Sequence, residues 1–453
     1  MTRESSTVGN AGAQPESRPF EVSNRVVLAI ALPMMLAYLT TPLLGLVDTA
    51  VIGQLGDAAL LGGLAAGAIV FDLVFATFNF LRSGTTGLVA QAFGRGDAAE
   101  EQAHFWRAFL VAVLSGLGLV LLSPLIIVAG ERFMDAGPGV AAAMRDYIGI
   151  RLLGAPMALV NYAVLGYLLG RGEAGRALAL QFLLNGTNIV LSIWLGLTLG
   201  WGVPGVAWGT VIGETVAAVV AMILLLRRFA GMPRLARGAV FDKAPIRRML
   251  AMNFDIMIRT FVLIGAFALV TRGGAQLGTL TLAANAVLMN FFLVASYFLD
   301  GFATAAEQLA GRAVGARYAQ GFRRTVGLTA VWGFATSGAT AVLFLLLGEP
   351  LIALVTTAPD VRLEAARYVP WAAFTAVSGV LAFQMDGIYI GATWTRAMRN
   401  MMLVAFAAFV VALLTLPPAF GNHGLWAALH VFLIARGLSL SAALPARARA
   451  TFP

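Results

Sequence analysis

The chain has 453 residues, of which 59% are hydrophobic and only 12% charged, with a formal net charge of +9 and no cysteine. Mean hydropathy is +0.84; a soluble domain of this length needs a far more charged surface, which excludes a soluble enzyme and indicates a polytopic membrane protein. Without cysteine neither disulfides nor thiolate metal sites are possible, and His104, His423 and His430 are too scattered in sequence for a metal cluster.

Residues 1–23 are polar (Glu4, Ser5, Ser6, Glu16, Arg18) and lack the apolar core and small-residue cleavage site of a secretory signal. They are expected to form a cytoplasmic tail that stays in the mature protein. Twelve apolar segments follow, at 24–47, 58–82, 104–128, 141–169, 177–199, 204–226, 245–271, 281–310, 322–347, 364–390, 397–416 and 424–445. Each suits a helix of about 20 to 30 residues crossing about 30 Å of hydrocarbon. The longest polar connection, LRRFAGMPRLARGAVFDKAPIRR, lies between the sixth and seventh and carries seven positive charges from Arg227 to Arg248. The expected organisation is a first half at 24–228, a basic cytoplasmic linker at 229–244, a second half at 245–446 and a short cytoplasmic tail at 447–453.

Charge placement is a topology signal. On the side of the odd-numbered loops the positive residues counted are Arg132, Arg145, Arg272, Arg362 and Arg367, of which Arg145 and Arg367 stand in the first turns of their spans. The positive-inside rule then puts both termini in the cytoplasm, so the basic balance does not mark a nucleic-acid partner. Membrane lipids are the expected neighbours, and the linker reads as a cytoplasmic anchor before it reads as a lipid-headgroup site.

The two halves resemble each other. YIGIRLLGAPMALVNYAVLGYLLG from Tyr147 matches YVPWAAFTAVSGVLAFQMDGIYIG from Tyr368, pairing Gly166 with Gly387 and Gly170 with Gly391 at a shift of 221 (387 − 166). LVAQAFGRG around Gln91 echoes LAGRAVGAR around Arg312, and VPGVAWG after Gly202 echoes NHGLWAA after Gly421. Six spans per half give both the same orientation, so the fold class expected is all-α, with twelve transmembrane helices in two parallel six-helix repeats. Many secondary transporters are built this way, with the substrate path between the repeats.

Ionisable residues inside spans are costly unless paired or hydrated, so each is informative. The acids are Asp48, Asp72, Glu214, Asp255, Asp300, Glu307 and Asp386; the bases are Arg82, Arg151, Arg259 and Arg436. No phosphate-cradling loop, metal-binding histidine pair or nucleophile triad is present, so neither ATP hydrolysis nor other enzyme chemistry is indicated and no cofactor is called for. An ion gradient is the expected energy source. Asp48, near the outer end of the first span, shares its helix with Pro33, which removes a backbone hydrogen bond and leaves a place to bend. A carboxylate on a bendable helix is a plausible coupling element. Asp255 and Arg259 stand four apart, the spacing of a local ion pair, and Glu307, Asp72 and Arg82 read as packing or snorkelling groups. Met34, Met35, Tyr38, Phe75, Phe78, Tyr162, Phe374 and Met385 are candidates for an adaptable cavity wall.

LALPMMLAYLTTPLLGLVDTAVIG in the first span, NFDIMIRT in the seventh, LDGFATAAEQLAGRAVGAR in the eighth and MDGIYIGATWTRAMRN in the tenth resemble the multidrug and toxic compound extrusion (MATE) family, in its DinF-like branch. The resemblance covers roughly residues 24 to 446. It implies two six-helix lobes forming a V and export of amphipathic, often cationic, small molecules in exchange for protons or sodium, by a monomer. It also implies that Asp48 is the coupling residue of the first lobe. The family's fifth helix presents an Asn and, four residues later, an Asp; here those positions hold Asn188 and Ser192, and the sixth-helix threonine matches Thr210. Asn188 and Ser192 share a helix face by their spacing, while one carboxylate is lost. Sodium is a hard cation that favours several oxygens and compensating charge, so proton coupling is favoured over sodium, with Glu214 a possible compensating acid. Asp300 and Asp386 match the family's acidic second-lobe positions loosely and, with Asp255 and Arg259, form a possible cation path. The competing readings are a sodium-coupled exporter of the same family and a flippase for a lipid-linked precursor, which needs a wide arginine-rich cavity.

Overall fold

A computed structural model of the chain describes residues 17–452 apart from 234 and 237. The first 16 residues, Arg234 and Arg237 of the linker, and Pro453 lie outside the described residues. Those described form helices α1 (Asn24–Gly53), α2 (Ala58–Ala76), α3 (Phe80–Arg95), α4 (Ala98–Leu121), α5 (Ser123–Met134), α6 (Pro138–Leu153), α7 (Ala155–Gly170) and α8 (Ala174–Leu191), which continues as a π-helical turn (Ser192–Thr198). After them come α9 (Val203–Ala230), α10 (Lys243–Gln276), α11 (Thr279–Gly315), α12 (Ala319–Val355), α13 (Pro359–Gly391) and α14 (Thr395–Thr451).

Ten of these helices, counting α2 with α3 as one, are long and apolar enough to cross a membrane, and α6 and α7, bent by 53° at their junction, make an eleventh crossing. The twelfth is hidden in α14. Its 57 residues would extend about 85 Å as one rod, far beyond a bilayer. Gly421, at φ 56 and ψ −133, breaks it, and Gly424 lies against the backbone of Leu416, where a Cβ would come within 2.3 Å. The chain therefore turns back on itself there, giving twelve crossings.

The same device recurs before α9. Gly202 has φ 61 and ψ −133, matching Gly421, and both positions need the freedom of a residue without a Cβ. The repeat also governs packing. A Cβ on Gly166 or Gly170 would sit 2.6 Å from the Arg82 carbonyl and 2.8 Å from that of Thr86. On Gly387 or Gly391 it would sit 2.2 Å from the Ala303 carbonyl and 2.0 Å from that of Glu307. Each pair is offset by the shift of 221 seen in the sequence (303 − 82, 307 − 86). Small residues thus seat α7 on α3 and α13 on α11 in the same way, as expected where close packing rather than apolar burial holds helices together.

The halves meet at the end that carries the termini. A Cβ on Gly315 would lie 2.0 Å from the Gln91 carbonyl, and one on Gly94 2.2 Å from that of Arg312. The Gln91 amide donates to the Gly391 carbonyl at 3.0 Å. Residues 17–23 strap this junction: the Arg18 amide donates to the Ala316 carbonyl at 3.0 Å, its guanidinium reaches the Arg95 carbonyl, and Phe20 packs edge-on against Tyr318. Farther along, Gly301 still packs on Ala31 and Met35, but beyond it Gly45 and Gly53 have nothing within 4 Å. The final helix runs past 446 to Thr451, so most of the expected C-terminal tail is helical.

Candidate functional site

A large cavity lies mainly within the first half, closed on one side by Leu293 and Tyr297 of α11. It measures about 670 Å³ and is walled by α1, α2, α6 to α9 and the start of α3. Asp48 projects into it from α1, only 8% exposed, and its Oδ1 has no hydrogen-bond partner. α1 runs unbroken through Pro33 and Pro42; Pro42, not Pro33, lines the cavity. Asn188 and Ser192 are both fully buried, and the Ser192 hydroxyl donates to Asn188 Oδ1 at 3.3 Å. Ser192 opens the π-helical turn, a widened turn of the kind found at functional sites, which no signal in the sequence had marked. α9 presses against it so closely that a Cβ on Gly209 would meet the Ser192 nitrogen at 2.8 Å. Thr210 lines the same cavity, its hydroxyl donating to the Val206 carbonyl at 3.2 Å. Asp48, Asn188, Ser192 and Thr210 thus come together.

Glu214 does not stand in for the missing acid. Its Oε2 accepts from Arg151 at 3.0 Å, its backbone carbonyl accepts from Asn161 at 2.8 Å, and the Arg151 guanidinium lies 4.0 Å above the Phe71 ring. Arg151 is therefore committed to Glu214, and Arg82, the cavity's other arginine, stands beside Glu307, which leaves Asp48 buried without an ion pair. Removing one partner of a buried pair typically costs about 3–5 kcal/mol. Glu214→Ala is expected to lower the thermal melting point of the detergent-solubilised protein accordingly, and Arg151→Met with Glu214→Leu to restore most of it. An unchanged melting point for the single variant would mean that water already solvates Arg151.

The second cavity, about 400 Å³, lies between the halves and adjoins the first through Tyr38, Asn79 and Arg82. Arg82 and Glu307, expected to pack or snorkel, instead line it with Asp300. Arg82 on α3 stands 3.8 Å from Glu307 on α11, and Tyr38 on α1 is 3.0 Å from Thr304, so a polar seam joins the two halves. The local Asp255–Arg259 pair is not formed. Asp255 is held by Arg399 at 2.6 Å and by Thr395 at 3.2 Å, near the end carrying the termini, and it does not line this cavity. Arg259 turns instead to Asp386, which also receives Arg436. A single-turn spacing rule cannot see partners that other helices bring within reach of a long arginine side chain.

Among the expected wall residues, Met34, Tyr38, Phe75 and Tyr162 line the first cavity, Met35 packs on Gly301, and Phe78 packs against the core of the first half. Met385 is buried beside α10 and α14. Phe374 is 54% exposed and faces outward, which corrects its assignment. Asp72 lines the first cavity in an exposed setting.

The MatE family model matches residues 33–194 and 256–416, one match in each half. DNA damage-inducible protein F of Escherichia coli (strain K12) is 41% identical over 432 residues, covering 93% of this chain and 92% of that protein. The chain belongs to the MatE family. This MatE protein is accordingly a multi-pass membrane transporter and not an enzyme. It is also 26% identical to the probable multidrug resistance protein NorM of Chromobacterium violaceum, over 92% of both chains. Among solved structures, the outward-facing conformation of a multidrug resistance MATE family transporter superposes with a TM-score of 0.86 at 17% identity, covering 95% of this chain and 97% of that one. A transporter from Pyrococcus furiosus does so with a TM-score of 0.85 at 17% identity, covering 95% and 97%. At that identity the likeness is one of fold.

Proposed function

We propose that this MatE transporter exports small amphipathic, cationic compounds across the bacterial cytoplasmic membrane in exchange for protons, working as a monomer with both termini in the cytoplasm. The observation that carries the reading is Asp48: a buried carboxylate with an unpartnered oxygen on the wall of a roomy cavity, whose neighbouring arginine is committed to Glu214. Such a group is costly as a bare charge, and taking up a proton relieves that cost, so Asp48 exchanges its proton as access alternates. With Ser192 in place of a second acid, Asn188, Ser192 and Thr210 offer only neutral oxygens beside Asp48, which suits a proton better than a hard metal cation. If the termini are cytoplasmic, the closed junction of α3 and α11 seals the inner face and the conformation is outward-facing.

Multidrug resistance relatives support the choice of cargo. The flippase alternative calls for an arginine-rich cavity, whereas the space between the halves holds three arginines and three acids. In proteoliposomes, efflux of cationic dyes is expected to follow an imposed pH gradient and to ignore a sodium gradient. Transport that follows sodium alone would overturn proton coupling.

A further inference from the structure

A groove on the second half takes no part in either cavity. α12 and α14 are both seated on α13: a Cβ on Gly333 would lie 3.0 Å from Val380, and one on Gly437 2.7 Å from Leu381. At the end that carries the termini a space of about 420 Å³ opens between α12 and α14, walled by Phe322, Val326, Leu444 and Phe452 and edged by Arg323 and Arg449. Its base is firm, because Phe322 is buried and packs on Phe452 with ring centroids 5.4 Å apart.

The charge there has one sign. Arg324 and Arg447 adjoin the two edge arginines in the chain, and all four are exposed. No acidic side chain occurs between Glu307 and Glu349 or after Asp386, so α14 has none and α12 has none before its far end. Asp386 is taken by Arg259 and Arg436, and Asp255 by Arg399. Arg449 meets only the Pro445 carbonyl of its own helix, at 3.4 Å. Beyond the groove the same two helices are apolar. Phe334 lies eleven residues after Arg323 and Leu438 eleven before Arg449 (334 − 323, 449 − 438), and both are exposed. A step of eleven residues returns to the same helix face about 16 Å along the axis.

We propose that this groove holds an acidic phospholipid of the surrounding bilayer, with its phosphate between Arg323 and Arg449 and its acyl chains along Phe334 and Leu438. The guanidinium fork matches phosphate oxygens, and basic pockets between transmembrane helices suit acidic headgroups. A lipid fits better than a soluble anion because the charged edge and the apolar run are continuous on one pair of helices. A zwitterionic lipid would bring its own cation to the arginines, so the site selects net negative charge.

The site serves neither the cargo nor the proton, and its test needs no ion gradient. The detergent-solubilised protein is titrated with dioleoylphosphatidylglycerol and, separately, with dioleoylphosphatidylcholine, and native mass spectrometry counts the lipids bound. One phosphatidylglycerol is expected to bind well ahead of any other and ahead of phosphatidylcholine. Arg323→Gln with Arg449→Gln should weaken that first binding roughly thirtyfold. Ala448→Phe, which fills the groove without changing charge, should weaken it as well. Arg227→Gln with Arg247→Gln removes the same charge from exposed positions flanking the linker and should leave it unchanged. If the linker pair weakens binding as much as the groove pair, or if Ala448→Phe has no effect, the attraction is diffuse surface charge and the site is overturned. Equal binding of phosphatidylcholine overturns it too, as does displacement of phosphatidylglycerol by millimolar inorganic phosphate, which would make the groove a simple anion site. Should Ala448→Phe fail to fold by melting and gel filtration, the comparison of the two arginine pairs decides.

Discussion

Asp48→Asn is expected to abolish proton-driven efflux while leaving the protein folded and inserted. The substitution keeps the shape of the side chain and removes only its ability to gain and lose a proton, so it holds the site permanently in the neutral form. Because Asp48 Oδ1 has no partner and no ion pair forms, little native interaction is lost. Coupling requires the proton to bind the two access states differently, and each unit of pKa difference between them supplies about 1.4 kcal/mol. A side chain that cannot titrate supplies none. Efflux from cells at matched protein levels, and dye transport in proteoliposomes under an imposed pH gradient, both read this out. Full drug resistance in cells carrying Asp48→Asn would move the coupling site elsewhere, most naturally to Asp300 and Asp386.

Gly315→Val is expected to deplete the conformation described above and to slow transport severely, without unfolding either half. A Cβ at Gly315 would lie 2.0 Å from the Gln91 carbonyl. That contact is backbone, which cannot swing aside as a flexible side chain would. Overpacking a tight contact costs about 1–3 kcal/mol, which corresponds to a roughly 5- to 150-fold fall in the population of the closed junction. The chain's lack of cysteine makes this directly measurable. Spin labels on cysteines introduced at Arg95 and Arg317, both exposed and flanking the contact between Gly94 and Ala316, should report a short distance in the parent and a broadened, longer one in the variant. An unchanged distance distribution would show that α3 and α11 accommodate the added bulk.

Much of the architecture was legible in the order of residues. Span length, apolarity and the 221-residue shift follow from local sequence, because a hydrocarbon environment forces each crossing to satisfy its own backbone hydrogen bonds as a helix. Gly166 with Gly387 and Gly202 with Gly421 could be paired before any coordinates, since the repeat preserves the positions where helices touch or the chain reverses. Asp48, Asn188, Ser192 and Thr210 were likewise reachable from motif and spacing, and the structure places all four on or beside one cavity. The pairing of charges was not. Arg259 was assigned to its helical neighbour Asp255, yet it joins Arg436 on Asp386, and Glu214 goes to Arg151. The partners of Arg436 and Glu214 lie 50 and 63 residues away in the chain, at distances set by how α6, α9, α10, α13 and α14 lean together. Long, flexible arginine side chains choose among all the acids within reach, and that set exists only once the helices are packed. Sequence alone therefore determined the twelve crossings and the duplication, and singled out Asp48 as the candidate coupling acid. Which charges pair, and hence that the buried Asp48 is left without an ion pair while Glu214 is held by Arg151, was decided by the tertiary structure.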